Sequence, residues 1–259
     1  MAVSLSAEFV GLFALIVVVS GAVNGLAGFG FAVVGTMALA SIVDPATAVV
    51  LMIIPMVAAN AMLVSELSAA ELRTCGRRFG PLVASALVGT IVGMIVLDAL
   101  PDRPLRVGLG LITLGFVTSQ QRAVPLPKLG TGSPALGGRP AMIAVGSLSG
   151  LLFGATNVGV QLVAYLRSRD LTHSLFVGVV ALVFLGVNAI RVGAAGVLGL
   201  YPTLTVVGLS VLASLPAVGG VVIGSRLRSR VSTQLRRRIV LGLLTVIGVR
   251  LVLGGLGIA

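Results

Sequence analysis

Residues 9–43 form an unbroken run of 35 uncharged residues, bounded by Glu8 and Asp44. As a single helix the run would be about 52 Å long, against a hydrocarbon core of about 30 Å. It must therefore be two helices, and residues 21–30, GAVNGLAGFG, are the natural joint. In lipid, broken backbone is tolerated only where protein buries it or it lines a watery cavity. The sequence predicts one helix ending near Asn24 and a second, short one from about Gly30 to Val43. A partial echo stands at residues 146–159, GSLSGLLFGATNVG.

Apolar runs recur along the whole chain. It is 57% hydrophobic and only 10% charged, whereas soluble domains carry about 25% charged residues. The expectation is an all-α polytopic membrane protein. The formal net charge of +11 comes from arginines in short loops, the pattern of cytoplasmic loops in membrane proteins. With two Tyr and no Trp, the basic residues lack the aromatic partners of a nucleic-acid groove. The single Cys75 excludes an internal disulfide. The N-terminal MAVSLSAEFV has no basic segment and leads into too long an apolar run for a signal peptide, so it reads as the start of the first span.

Beyond the first joint, Asp44-Pro45 reads as a cap and first-turn proline opening a third segment at 46–64. A charged loop with Glu66, Glu71, Arg73, Arg77 and Arg78 precedes a fourth span at 79–97. A short loop with Asp98, Asp102, Arg103 and Arg106 leads to a fifth near 107–121. Residues 122–139, rich in Pro and Gly, read as a cytoplasmic linker. The second half repeats the plan: 141–166 with a joint near Gly154, then 174–190, 202–225 and 239–259.

Offsets support a repeat. Gly28 and Gly154 are 126 apart, as are Asp44 and Asp170; Gly93 and Gly224 are 131 apart, and LGLIT at 109–113 returns as LGLLT at 241–245. Five segments per half is an odd number, so the second copy must be inverted in the membrane. The predicted organisation is a first repeat at 1–121, a linker at 122–139 and a second repeat at 140–259. With both termini outside, the loops 65–78, 122–139, 167–173 and 226–238 hold 14 of the 18 Lys and Arg.

The motifs resemble a family. The glycine signature ending the first helix, the turn DPATAV echoed as DLTHSL, the second-half opening GSLSGLLFG and the C-terminal stretch from LASLPAVGG to VIGVRLV are similar to the sulfite exporter TauE/SafE family. The resemblance covers roughly residues 8–255 and implies an inner-membrane permease for sulfite, sulfonates or related small organic anions. The chain departs from the usual triple glycine at Gly28-Phe29-Gly30-Phe31, which leaves the substrate open.

The residues that would hold an anion lie at the two joints: Asn24, Gly25, Gly28, Phe29 and Gly30 in the first, Gly154, Thr156, Asn157 and Gln161 in the second. The glycines expose amides at a helix start, where anions bind readily; close helix contact would equally explain them. Asn60 and Asn188 fit helix–helix hydrogen bonding. Arg191 is the only Asp, Glu, Lys or Arg between Asp170 and Arg226. A charge at membrane depth is a functional candidate, whereas snorkelling to the headgroups is the alternative. His173 and Cys75 stand too far apart for a metal cluster, and no cofactor is expected.

The sequence thus predicts a secondary permease for small anions, not an enzyme, working by alternating access between two facing helix breaks. An anion channel of the same architecture, or a subunit that needs a partner, are the alternatives. Coupling to protons or another ion stays open, as does a homodimer.

Overall fold

The structure, a computed structural model, describes residues 6–99, 101–119, 138–157, 159–167, 173–201, 203–228 and 230–257. Among these there are twelve helices and no strand. The first half holds α1 (Ala7–Ala27), α2 (Phe31–Ala40), α3 (Pro45–Leu51), α4 (Ile53–Val64), α5 (Ala69–Ala99) and α6 (Asp102–Ser119). The second holds α7 (Arg139–Thr156), α8 (Val160–Arg167), α9 (His173–Val197), α10 (Leu204–Leu212), α11 (Ser214–Leu227) and α12 (Thr233–Gly255).

Two of the junctions are proline kinks. Pro55 has no N–H and its ring displaces the carbonyl four residues back. That carbonyl, of Leu51, accepts the Ser210 hydroxyl at 2.7 Å instead. Met52 is the joint between α3 and α4, and Pro216 likewise follows the joint at Ala213 between α10 and α11. Counting each kinked pair once gives the ten segments expected. Among the described residues five helices are long and apolar enough to cross a membrane, including the kinked pairs Pro45–Val64 and Leu204–Leu227. The chain is a polytopic, all-helical membrane protein.

Several boundaries differ from the sequence reading. α1 runs through Asn24 to Ala27 and ends on Gly28, whose φ of +78° needs no Cβ penalty. The second break falls at Asn157, with φ 58°, and not at Gly154, which stays helical. The charged stretch from Glu71 to Arg78 is no loop: it forms the first turns of α5. Ser68 and Glu71 there make a reciprocal capping box, Glu71 Oε2 accepting the Ser68 N–H at 2.9 Å. Arg106 lies within α6 and donates to the Val43 carbonyl at 2.9 Å. Asp44 caps α3 as expected, accepting the Thr47 N–H at 2.8 Å. Asp170 and nearly all of the 122–139 linker lie outside the described residues.

Two glycine seams join the halves. α1 lies against α11: a Cβ added to Gly21 would stand 2.4 Å from the Ala217 carbonyl oxygen, and one on Gly25 2.2 Å from that of Val221. α7 lies against α5 in the same manner, with Gly150 at 2.1 Å from the Ala86 oxygen and Gly154 at 2.2 Å from that of Thr90. The glycines in these pairs (Gly21 and Gly150, Gly25 and Gly154) are 129 residues apart, and their partners (Ala86 and Ala217, Thr90 and Val221) are 131 apart. The reverse contacts match too, Gly93 against Leu151 and Gly224 against Ala22. Gly154 therefore corresponds to Gly25 in its contacts, rather than to Gly28. Small residues of this kind let helices approach closely where lipid offers no hydrophobic drive.

Outward faces of the long helices are apolar, as at Leu15, Val88 and Leu215. α2 and α3 are enclosed, with Met37, Leu39, Val49 and Leu51 wholly buried. The broken elements thus sit inside a jacket of longer helices.

Candidate anion site between two helix breaks

The first break ends one helix and starts another facing inward. Gly30, at φ +109°, is the N-cap of α2, and no side chain caps that end. The first backbone N–H to find an acceptor within the helix is that of Val34, bonded to Gly30 O at 2.9 Å. The amides of Phe31, Ala32 and Val33 are the orphan donors that every helix start carries. Those three residues, with Asn24 and Gly30, line a small cavity. Asn24 is 2% exposed and its Nδ2 has no hydrogen-bond partner. A buried amide left unpaired costs about 1–3 kcal/mol, so this donor stands ready for an acceptor that the protein does not supply.

The far wall comes from the second half. Gly159, 129 residues after Gly30, lines the same cavity and accepts the Val163 N–H that starts α8. Phe153 and Phe184 stack there with ring centroids 4.9 Å apart. Asn60 of α4 also faces the cavity, its Nδ2 bonded to Met56 O at 2.8 Å. A smaller space adjoins behind Phe153, with the unpartnered Ser149 hydroxyl on its wall.

A polar knot braces the second break. Asn157 Nδ2 donates to Thr36 Oγ1 at 2.8 Å and to the Val49 carbonyl at 3.0 Å, tying α7 to α2 and α3. Its Oδ1 accepts from Arg191 Nη1, which also donates to Asn188 Oδ1 at 3.2 Å. Arg191 Nη2 donates to the Gly154 carbonyl at 3.2 Å. Asn157, Asn188 and Arg191 are all 0% exposed. Arg191 thus meets the Gly154 carbonyl in the last turn of α7, at the negative end of the helix dipole. Its guanidinium also lies over the Phe153 ring at 5.1 Å. It does not snorkel to a surface, and it does not line the cavity, whose wall Phe153 forms in front of it.

The expected site residues therefore separate. Asn24, Phe29 and Gly30 line the cavity. Gly28 shapes the break, with its missing Cβ facing Val177. Gly25 and Gly154 face neighbouring helices, and each offers its carbonyl to an arginine, Gly25 to Arg228 and Gly154 to Arg191. Thr156 bonds back to Leu152 O. Asn157 holds the second break, while the side chain of Gln161 lies outside the described residues. Sequence reasoning missed Phe31, Phe153, Phe184 and Arg228. Apolar residues in an apolar chain carry no signal, and Arg228 looked like one more loop cation.

Among the described residues no group of three or more His, Cys, Asp or Glu could hold a metal ion. What the arrangement offers is a set of donors, from helix-start amides and an asparagine, in an enclosed space between helix breaks. Helical transporters hold their substrate in a space of this kind between broken helices. Residues 13–251 match the family described as sulfite exporter TauE/SafE, and the chain belongs to that family. It is thereby a membrane transporter of a family associated with sulfur anions. No curated protein and no solved structure matches the chain.

Proposed function

We propose that this protein is a secondary permease that carries a small anion, sulfite or an organosulfonate or carboxylate, by alternating access across the cell membrane. The carrying observation is the unpartnered Asn24 amide beside the uncapped start of α2, in a cavity that both N-cap glycines, Gly30 and Gly159, share. An anion seated there would accept from Asn24 and from the amides of residues 31–33, and the positive end of the α2 dipole would favour it. The matched seams, 129 residues apart on α1 and α7 and 131 apart on α5 and α11, support two inverted repeats on either side of a linker at 122–139. In such transporters the site lies where the repeats meet. Both termini are then outside, and gradients of ions or substrate drive the movement.

The test is flux in proteoliposomes. Purified protein should accumulate labelled sulfite or a small organosulfonate against a counter-gradient, with saturation and counterflow. Transport of none of these anions under any gradient would reject the reading; flux without saturation would make the protein a channel.

A further inference from the structure

Arg228, at the end of α11, has bonds that neither the glycine seams nor the cavity accounts for. Its Nε and Nη2 donate to the Gly25 carbonyl at 2.8 and 2.6 Å. Its Nη1 stands 3.6 Å from the Glu66 carboxylate, just past the end of α4. Ser225 completes the knot, its hydroxyl donating to Glu66 Oε1 at 3.3 Å. Three helix ends thus meet at one point. Gly25 follows Asn24 directly, and Glu66 follows Asn60 by six residues, so the knot joins the two elements that carry the asparagines of the cavity.

Its bonds are unequal in kind. α1 and α11 are already locked by the backbone contacts of Gly21, Gly25, Gly220 and Gly224. Arg228 on Gly25 therefore stays within one body. Glu66 is the polar tie from that body to the end of α4. The corresponding knot at the second break, Arg191 on Gly154, is 0% exposed and held by Asn157 and Asn188. At the first break the side chains of Arg228 and Glu66 are 22% and 39% exposed. Water competes for an exposed ion pair and leaves it weak, whereas a buried charge with its bonds cut is costly. One break is therefore bolted and the other is clasped.

We infer that Arg228 and Glu66 form a releasable clasp that positions the end of α1 and gates the cavity on that face, an inference that rests on the transport reading. Parting Glu66 from Arg228 lets α4 move from the α1–α11 pair, and Asn24 and Asn60 move apart with them. Arg228 remains on Gly25 and keeps the α1 terminus capped. The clasp sets how often the cavity opens on this face, and the closed cavity keeps the same contacts to the anion.

The experiment uses the full chain in proteoliposomes with Cys75→Ala and a reporter, Ala32→Cys, on the cavity wall. A membrane-impermeant thiol reagent applied from the side of the Arg-rich 226–238 loop measures opening. Glu66→Gln should raise the labelling rate about two- to fivefold, the scale of one exposed ion pair. Sulfite or ethanesulfonate affinity should change less than about twofold. The charge-keeping Arg228→Lys, whose single nitrogen lacks the guanidinium fork that spans Gly25 and Glu66, should raise labelling as well. Unchanged or slower labelling in Glu66→Gln would overturn the clasp while leaving transport standing. A parallel loss of thermal stability and anion affinity in both variants would also overturn it, by making the knot a plain strut. If the parent protein neither moves nor is protected by any of these anions, the transport reading falls and the clasp with it.

Discussion

Replacing Asn24 with leucine separates anion binding from folding, because its amide is buried and satisfies nothing in the protein itself. Leucine has a similar shape and keeps the α1 turn helical. In the empty protein the change removes an unpaired buried donor, which costs about 1–3 kcal/mol where it stands. Thermal stability should therefore hold or rise, by about 2–4 °C for each kcal/mol recovered in a chain of this size. The bound anion, in contrast, loses a charge-assisted hydrogen bond of about 1.5–3 kcal/mol. At 1.4 kcal/mol per decade this weakens affinity roughly 10- to 150-fold. Asn60 supplies the control, since its Nδ2 is already bonded to Met56 O; Asn60→Leu should shift affinity much less. The assay pairs melting in detergent with anion titration by calorimetry. Affinity within about threefold of the parent would refute the site. A drop of several degrees together with lost binding would refute the premise that the amide is unspent.

Three further outcomes follow from the same geometry. Gly25→Ala or Gly150→Ala places a Cβ 2.2 or 2.1 Å from a backbone oxygen of the neighbouring helix; each should cost about 1–3 kcal/mol in unfolding measurements, while Gly242→Ala, with nothing within 4 Å, should gain about 0.5–1 kcal/mol from helix propensity. Asn157→Gly keeps the left-handed backbone but strips Arg191 and Thr36 of their partner, so a loss of about 3 kcal/mol is expected, read as a lowered melting temperature. Burial raises the pKa of Tyr201, with Arg191 opposing; the folded hydroxyl holds its proton longer than the unfolded one, so stability from this group is full below about pH 10 and falls as pH rises through the folded value. Tyr201→Phe should flatten that alkaline limb of a melting-temperature profile.

The segment count was legible because length against bilayer thickness forces it, and prolines and glycines mark the joints. The placing of the second break was not. Gly154 looked like the counterpart of Gly28, yet the residue that takes the left-handed turn is Asn157, one of the few side chains at ease there. Gly154 carries a different constraint, the approach of Thr90, and one residue type serves both needs. The pairing of Gly93 with Gly224 agrees with their matching contacts, but the pairing of Gly28 with Gly154 is three residues short of the 129-residue offset that the contacts of Gly25 and Gly154 show. Phe153 and Phe184 were invisible, since a cavity wall and a lipid face use the same letters.

Arg191 stood out for a sound reason, and its side chain lies buried behind the cavity wall rather than on it. A lone charge deep in an apolar segment must be either satisfied or used. Both of its Nη groups are satisfied, by Asn157, Asn188 and the Gly154 carbonyl, with only Nε left unpaired. A helix that stops inside a membrane exposes carbonyls that water cannot reach, and the dipole makes that end attract a cation. Two of the interrupted helices here end on an arginine: α7 on Arg191 and α1 on Arg228. The arginines thus help to cap these two ends, and the first break leaves the orphan amides at the start of α2. On the transport function proposed above, anion selectivity arises from backbone and Asn24, with the cations acting through the helices they terminate.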